Sequence, residues 1–179
     1  MAFTLTQREI VRTFWLMLDE RPYDEVTVLA LCERCGLSRN TFYYHFADIP
    51  TLVEQTANGW FDAMCEAQGP FATLSDCLTR VAAECQQHKK PLRRLYHMSH
   101  RDVFEQGLAR IVRHVVRRYV MAMKSAPKGA AERETAERFY RSMLTGVFLD
   151  WLAADMSYDL SAFVARIGRL FVEPEWENN

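Results

Sequence analysis

The sequence is poor in residues that interrupt helices, since its 179 residues include only seven Gly and six Pro. Strand-like alternation of polar and apolar residues is also missing, whereas apolar residues recur at helical spacing from end to end. No stretch approaches the roughly 18 to 20 apolar residues of a membrane span. The N-terminus lacks the basic-then-apolar layout of a signal peptide. We therefore predict an all-α, cytoplasmic protein.

An excess of positive charge is missing as well. The net charge is −1, and the first 50 residues hold five Arg and no Lys against seven Asp and Glu. The chain thus has no long-range basic field to attract nucleic acid, and any DNA binding must rest on local geometry. Five cysteines are an odd number in a chain with no export signal, so we expect no disulfide framework.

Features of an enzyme or a metal site are weak. No nucleophile and general base stand in a recognisable arrangement, and there is no glycine-rich phosphate loop. Cys32 and Cys35 form a single C-x-x-C pair, which we interpret as two small core side chains rather than half of a zinc site. His97 and His100, with Cys85 upstream, fit a solvated helix face at least as well as a metal site. We predict no enzyme, no metal and no cofactor.

Capping residues predict three helices near the N-terminus. Thr6 and Glu9 match a capping box that would start the first helix. Thr27 caps a second helix, and Gly36 is placed to end it in the left-handed conformation. Ser38 then caps a short third helix, and Asp48 is a good cap for a fourth. This spacing is typical of a helix-turn-helix unit.

The segment GLSRNTFYYHF, residues 36–46, has two distinct faces as a helix. Phe42 and Phe46 share one face, while Asn40 and Tyr44 point away from it. The phenylalanines would anchor the helix in a core. The remaining amide, hydroxyl and phenol groups would then be free to contact another molecule.

This segment also carries a family resemblance. Together with Val26-Thr27 and the run from Leu31, it resembles the N-terminal domain of the tetracycline-repressor (TetR) family of bacterial transcription regulators over about residues 5–55. The resemblance implies a DNA-binding domain at 1–50 and a helical effector-binding and dimerisation domain at 51–179. It further implies a homodimer on a pseudo-palindromic operator in double-stranded DNA, with both third helices in adjacent major grooves. The implied DNA contacts are Thr27, Arg39, Asn40, Thr41, Tyr43, Tyr44 and His45.

Two positions depart from the family pattern. Family members commonly have Lys where Ile49 stands, and a basic or polar residue where Leu29 stands. Because each phosphate neutralised by a cation strengthens binding, we expect weaker DNA affinity with a shallow salt dependence. A regulator that acts through a protein partner, with no small-molecule ligand, is therefore the alternative to an effector-controlled repressor. The sequence leaves the sign of regulation open.

The helices beyond residue 67 would form the second domain, at 71–88, 91–99, 102–124, 131–155 and 161–171. The 131–155 helix is apolar nearly all round, so it needs partners on more than one side. We expect it to form, with the last helix, a four-helix dimer interface. The predicted contacts are Met143, Gly146, Val147, Leu160, Phe163, Val164, Ile167, Leu170 and Phe171.

Two further features of this region have open interpretations. An effector pocket would need apolar walls with a few polar tips, and its candidate residues are Tyr96, His97, Phe104, Tyr140, Met143, Phe148 and Trp151. A basic strip on the 102–124 helix fits either a solvated face or a contact with an acidic partner or anionic effector. The strip comprises Arg110, Arg113, His114, Arg117 and Arg118.

Overall fold

A computed structural model describes residues 3–69, 71, 73–122 and 129–170, with side chains to residue 167. The prediction of an all-α fold is confirmed, because these ranges contain helices and no strand. A 3₁₀ turn at Tyr23–Glu25 lies between the first two helices. The helices are α1 (Leu5–Glu20), α2 (Val28–Cys35), α3 (Arg39–His45), α4 (Ile49–Gln68), α5 (Leu74–Gln87), α6 (Lys89–Tyr96), α7 (Arg101–Ala122), α8 (Ala130–Ala153) and α9 (Leu160–Leu170).

The predicted start of α1 is wrong by two residues. Thr4, rather than Thr6, caps the helix: its hydroxyl accepts from the Gln7 N–H at 3.2 Å, and the Gln7 side chain accepts from the Thr4 N–H at 2.9 Å. Both threonines fit a capping-box pattern, and the earlier one adds half a turn to the helix. The Glu9 carboxylate instead pairs with Arg12 at 2.8 Å.

The other predicted caps in the N-terminal unit are confirmed. Thr27, Ser38 and Asp48 each accept a hydrogen bond from the backbone N–H three residues on, at 3.1, 3.1 and 2.7 Å. Gly36 ends α2 with φ +66°, a conformation that other residues adopt at a cost. These caps fix the short turn between α2 and α3 and hence the direction of α3.

The N-terminal core is built from α1, α2, α3 and the first turns of α4. Phe42 and Phe46 are 0% and 1% exposed, as their shared face predicts. Their rings lie 5.8 Å apart, centroid to centroid. Fully buried neighbours from the other helices surround them, namely Ile10, Phe14, Leu18, Leu31 and Leu52.

Helix α4 belongs to two cores. Its N-terminal part contributes Ile49 and Leu52 to the core around Phe42, whereas Phe61 belongs to a second core with α5, α7 and α8. A third cluster joins α8 and α9 around Trp151 and Leu160. A displacement of α4 therefore has to disturb packing at both of its ends.

Polar contacts fasten α4 to α7. Arg110 Nε lies 2.6 Å from the Glu54 carboxylate, while Asp62 Oδ1 lies 2.9 Å from His114 Nε2 and 3.3 Å from Arg118 Nε. We name these five residues the α4–α7 ladder. Three of the five residues in the basic strip thus have partners on α4. The sequence suggests either a solvated face or a contact with an acidic partner or anionic effector, and neither interpretation includes pairing within the protomer. Arg113 and Arg117 are exposed.

One predicted dimer contact, Leu160, is buried within the protomer. Leu160 is 1% exposed and packs in the cluster around Trp151, so it is not available to a second chain, because its neighbours in the same protomer already cover it. Gly146 is exposed, with no atom within 4 Å of where a side chain would begin. The Leu170 side chain and Phe171 lie outside the described residues.

None of the described helices is both long and apolar enough to cross a membrane.

Replacing Phe42 with Ala should lower the free energy of unfolding by about 3 to 5 kcal/mol, because the ring is fully buried and a cavity would remain. Tyr44→Ala is the matched control on the same helix. Its ring is 85% exposed, so the change should be within about 0.5 kcal/mol. Urea unfolding followed by circular dichroism measures both. Equal losses in the two variants would contradict this packing of α3.

Asp62→Asn should lower the free energy of unfolding by about 1 kcal/mol, because one carboxylate serves both His114 and Arg118 and is only 22% exposed. Glu134→Gln is the control, since its pair with Arg138 is more than 70% exposed on both sides and should contribute about 0 to 0.5 kcal/mol. The same urea titration compares them. Equal losses of unfolding free energy in the two variants would show that Asp62 stabilises the fold no more than an exposed ion pair does.

Candidate nucleic-acid interface and interior cavity

The outer face of α3 presents side chains that have no part in the core. Tyr44 is 85% exposed and Tyr43 is 54% exposed, and both Arg39 and Asn40 are exposed as well. Since the opposite face is held by buried phenylalanines, these groups project from a fixed helix. A short rigid helix with exposed amide, guanidinium and phenol groups has the form of a major-groove reading element.

Two other predicted contact residues on α3 are half-buried. The Thr41 hydroxyl lies 2.9 Å from that of Ser38, so the cap of α3 already orients it. The His45 ring packs edge-on against Tyr44, with centroids 5.0 Å apart. Both groups lie at the margin of the exposed face, where phosphate contacts are made more readily than base contacts.

The surroundings of α3 carry little free positive charge. Arg12 pairs with Glu9, and Arg34 pairs with Glu20 on α1. The hydrogen bond from Arg34 lowers the pKa of the Glu20 carboxyl, so this pair stays ionised and its charges cancel. Among the described residues, Arg39 has no ion-pair partner and is the cation best placed on the reading face.

The two departures from the family pattern differ in their surroundings. Leu29 is 54% exposed near the start of α2, and its apolar side chain has neither a charge nor a hydrogen-bond donor for a phosphate. Ile49 is 8% exposed and packs in the N-terminal core at the first position of α4. Thr27 is exposed, and its hydroxyl caps α2. On this side the start of α2 presents backbone N–H groups, which are the donors that bind phosphate at helix N-termini.

A cavity of about 180 Å³ lies between the N-terminal unit and the helices that follow it. Seven helices contribute to its wall, from Trp15 on α1 to Leu160 at the start of α9. The wall is almost entirely apolar. Its ionisable side chains among the described residues are Tyr23, Glu54, Glu84, Cys85 and His88. The indole N–H of Trp15 is buried there without a hydrogen-bond partner.

Only two of the seven predicted pocket residues, Phe104 and Phe148, line this cavity. Trp151 is 1% exposed, and its indole N–H donates to the Tyr158 carbonyl at 2.9 Å, so it is a core residue. His97 lines a separate cleft beside the 3₁₀ turn.

The remaining three predicted pocket residues also lie outside the wall. Tyr96 lies under the Arg101 guanidinium at 4.3 Å. Tyr140 packs edge-on against Tyr119, with centroids 5.5 Å apart, and Met143 packs against the same second core. These residues are polar or aromatic and lie on the C-terminal helices, whereas the cavity wall also includes residues of α1 and α4.

The sequence prediction missed an aromatic group that borders the cavity. Trp60 on α4 stacks on His88 with centroids 4.5 Å apart and planes 10° apart, and Trp15 on α1 lies 4.9 Å from Trp60. The three rings come from distant parts of the chain, so no local pattern links them. They place α1, α4 and the α5–α6 junction around one space.

Burial keeps two ionisable groups of the wall uncharged. It raises the pKa of Tyr23 to about 12 and that of Cys85 to about 12. Neither group therefore ionises near neutral pH. The permanent charges in the wall are those of the two glutamates.

Comparison with known proteins identifies the chain. Residues 16–56 match a family model described as "Bacterial regulatory proteins, tetR family", and residues 72–172 match one described as "Transcriptional regulator C-terminal region". Curated protein sequences give no match.

Two solved structures share the fold. One is described as "Dihydroxyacetone kinase operon activator DhaS", with 12% identity, a TM-score of 0.63 and 93% of each chain covered. The other is the fatty acid degradation regulator FadR from Bacillus halodurans, with 15% identity, a TM-score of 0.52, and 95% of this chain and 96% of that one covered. Proteins of this family bind DNA and act as dimers. Because the C-terminal match alone spans more than half of the sequence, the chain belongs to the TetR family of bacterial transcription regulators.

Proposed function

We propose that the protein represses transcription by binding a pseudo-palindromic operator, and that a small molecule in the interior cavity releases it. The observation that carries the proposal is the exposed face of α3, with Tyr44 85% exposed above a fully buried Phe42. In this proposal residues 1–50 form the reading unit, and residues 51–179 sense the effector and hold the dimer together.

The side chains of α3 divide into base-reading and phosphate-binding groups. Asn40 has the donor and acceptor needed to pair bidentately with adenine, and the Tyr44 ring suits contact with a thymine methyl. Tyr43, Thr41 and His45 lie toward the margins, where their polar groups suit phosphate oxygens. Arg39 serves guanine or phosphate, and Thr27 with the start of α2 holds the backbone.

The cavity is placed to influence the reading unit through α4. Its wall includes Trp15 of α1 and Tyr23 of the 3₁₀ turn, both within the reading unit. The same wall includes Val53 and Trp60 of α4. A ligand that favours one position of α4 shifts the population of the dimer toward the matching spacing of its two α3 helices. Operator affinity changes as a result.

A second candidate function is activation through a protein partner, without a small-molecule ligand. The exposed Leu29 and the buried Ile49 favour it, because neither supplies the cation that would strengthen independent DNA binding. The structural neighbour DhaS is itself described as an operon activator. A reporter gene driven from the recovered operator separates the two: deletion of the regulator raises expression if it represses, and lowers it if it activates.

Purified protein selected against sheared genomic DNA at low salt should enrich a pseudo-palindromic sequence. Tyr44→Ala should weaken binding to that sequence by about tenfold, the effect of losing one good base contact. Arg113→Ala, an exposed change on α7, is the control and should bind as the wild type does. Fluorescence anisotropy on the recovered sequence measures all three. Unchanged binding by Tyr44→Ala would remove α3 as the reading helix, and no enrichment by the wild type would favour the partner-dependent alternative.

The dimer interface is proposed on α8 and α9. Gly146 is exposed, and Phe139, seven residues earlier on the same face of α8, is 61% exposed. Met143 lies between them, and α9 adds Phe163, Val164 and Ile167. Val147 and Leu160 are assigned to the cavity wall instead. A close helix approach at a small residue suits a twofold interface.

Gly146→Arg should convert the dimer to a monomer without unfolding the protomer, because the side chain would extend into open space in the single chain but clash across a twofold axis. Ala131→Arg, exposed in the first turn of α8, is the matched control and should remain dimeric. Light scattering gives the mass, and circular dichroism confirms helix content. A dimeric Gly146→Arg variant would place the interface elsewhere.

A further inference from the structure

The charges around the cavity are one-sided. Glu54 and Glu84 contribute to the wall, whereas no Lys or Arg does so among the described residues. His88 is the single basic side chain of that wall. Such a wall disfavours binding of an anion and favours binding of a cation.

We infer that the cavity selects lipophilic molecules that carry one cationic group over neutral and anionic molecules of the same shape. This inference rests on the proposed function only in taking the cavity as a ligand site.

The two glutamates differ in what already holds them. Glu54 is bound to Arg110 at 2.6 Å as part of the α4–α7 ladder, so its charge is balanced. The nearest basic atom to Glu84 is Nε2 of His88, at 3.7 Å, too long for a good hydrogen bond. Glu84 is therefore the carboxylate available to a ligand. Its side chain is 36% exposed, which lets a ligand reach it from the cavity margin.

The aromatic side chains of the wall favour the same class of ligand. Trp15, Trp60, Phe104 and Phe148 all border the cavity. A cation within about 6 Å of an aromatic ring centre is attracted to its face, and indole rings attract it most strongly. His88 covers one face of Trp60 at 4.5 Å, and Arg101 lies over the Phe104 ring at 5.7 Å, so a ligand contacts these two rings from their remaining sides.

The described wall contains no Lys or Arg that would pair with an anion, and its unpartnered hydrogen-bond donor is the uncharged indole N–H of Trp15. The raised pKa values of Tyr23 and Cys85 keep both groups neutral. A carboxylate or phosphate head group would thus lie near the Glu84 carboxylate, which no Lys or Arg of the described wall balances.

The test compares octyltrimethylammonium, octanol and octanoate, each at concentrations below micelle formation. Quenching of tryptophan fluorescence reports binding, because Trp15 and Trp60 border the cavity. We expect the ammonium probe to bind about tenfold more tightly than octanoate. Glu84→Gln should bring the three affinities within about threefold of one another, since octanol binding does not use the charge. Glu66→Gln, an exposed change on α4, should retain the preference.

Two outcomes would overturn the inference. Octanoate binding as tightly as the ammonium probe would show that the glutamates do not set selectivity, and binding of none of the three would show that the cavity is not a ligand site of this class. A melting experiment on Glu84→Gln checks that the variant is folded. Operator release is measured separately, by adding the ammonium probe to the protein–DNA complex. Probe binding with unchanged operator affinity would leave the inference standing and contradict the proposed effector mechanism.

Discussion

The rest of the structure depends on the double packing of α4. One end of this helix, at Ile49 and Leu52, completes the core that holds α3, and the other end, at Phe61, completes the core with α7 and α8. Close-packed cores do not deform continuously, so a displaced helix must exchange one set of contacts for another. The geometry of α4 therefore sets the orientation of α3 relative to α7 and α8.

The reading face shows how local geometry compensates for a weak electrostatic field. The chain carries net charge −1, and two of its N-terminal arginines are neutralised by Glu9 and Glu20. Little long-range attraction to DNA remains. What remains is a helix fixed by Phe42 and Phe46 with its polar face outward. Such a surface contributes more to discrimination between sequences than to non-specific affinity, because base contacts carry the sequence information and phosphate contacts carry most of the charge-dependent binding.

Local signals in the sequence predicted the fold and α3 well. Helix caps depend on residues three positions apart, and the burial of Phe42 and Phe46 follows from helical periodicity, so both can be recognised without tertiary information. The error at Thr4 and Thr6 arose because two overlapping capping boxes were present and only the packing of α1 distinguishes them. The cavity could not be predicted in the same way. Its wall joins Trp15, Trp60 and His88, which no short-range pattern relates, while Trp151 looked equally suitable and is core.

The ion pairs of the α4–α7 ladder add to the core packing that a ligand would have to overcome in order to move α4. Its side chains are between 22% and 48% exposed, and ion pairs with this exposure contribute about 1 kcal/mol or less each. A fully buried clamp would cost several kcal/mol to break, and only a very tight ligand would then shift the helix. Since each tenfold difference in a ligand's affinity for two states supplies about 1.4 kcal/mol, differential binding of one to two orders of magnitude is enough to offset the ladder. Glu54 also borders the cavity, so under the proposed mechanism a ligand there would act directly on one of the contacts that hold α4 in place.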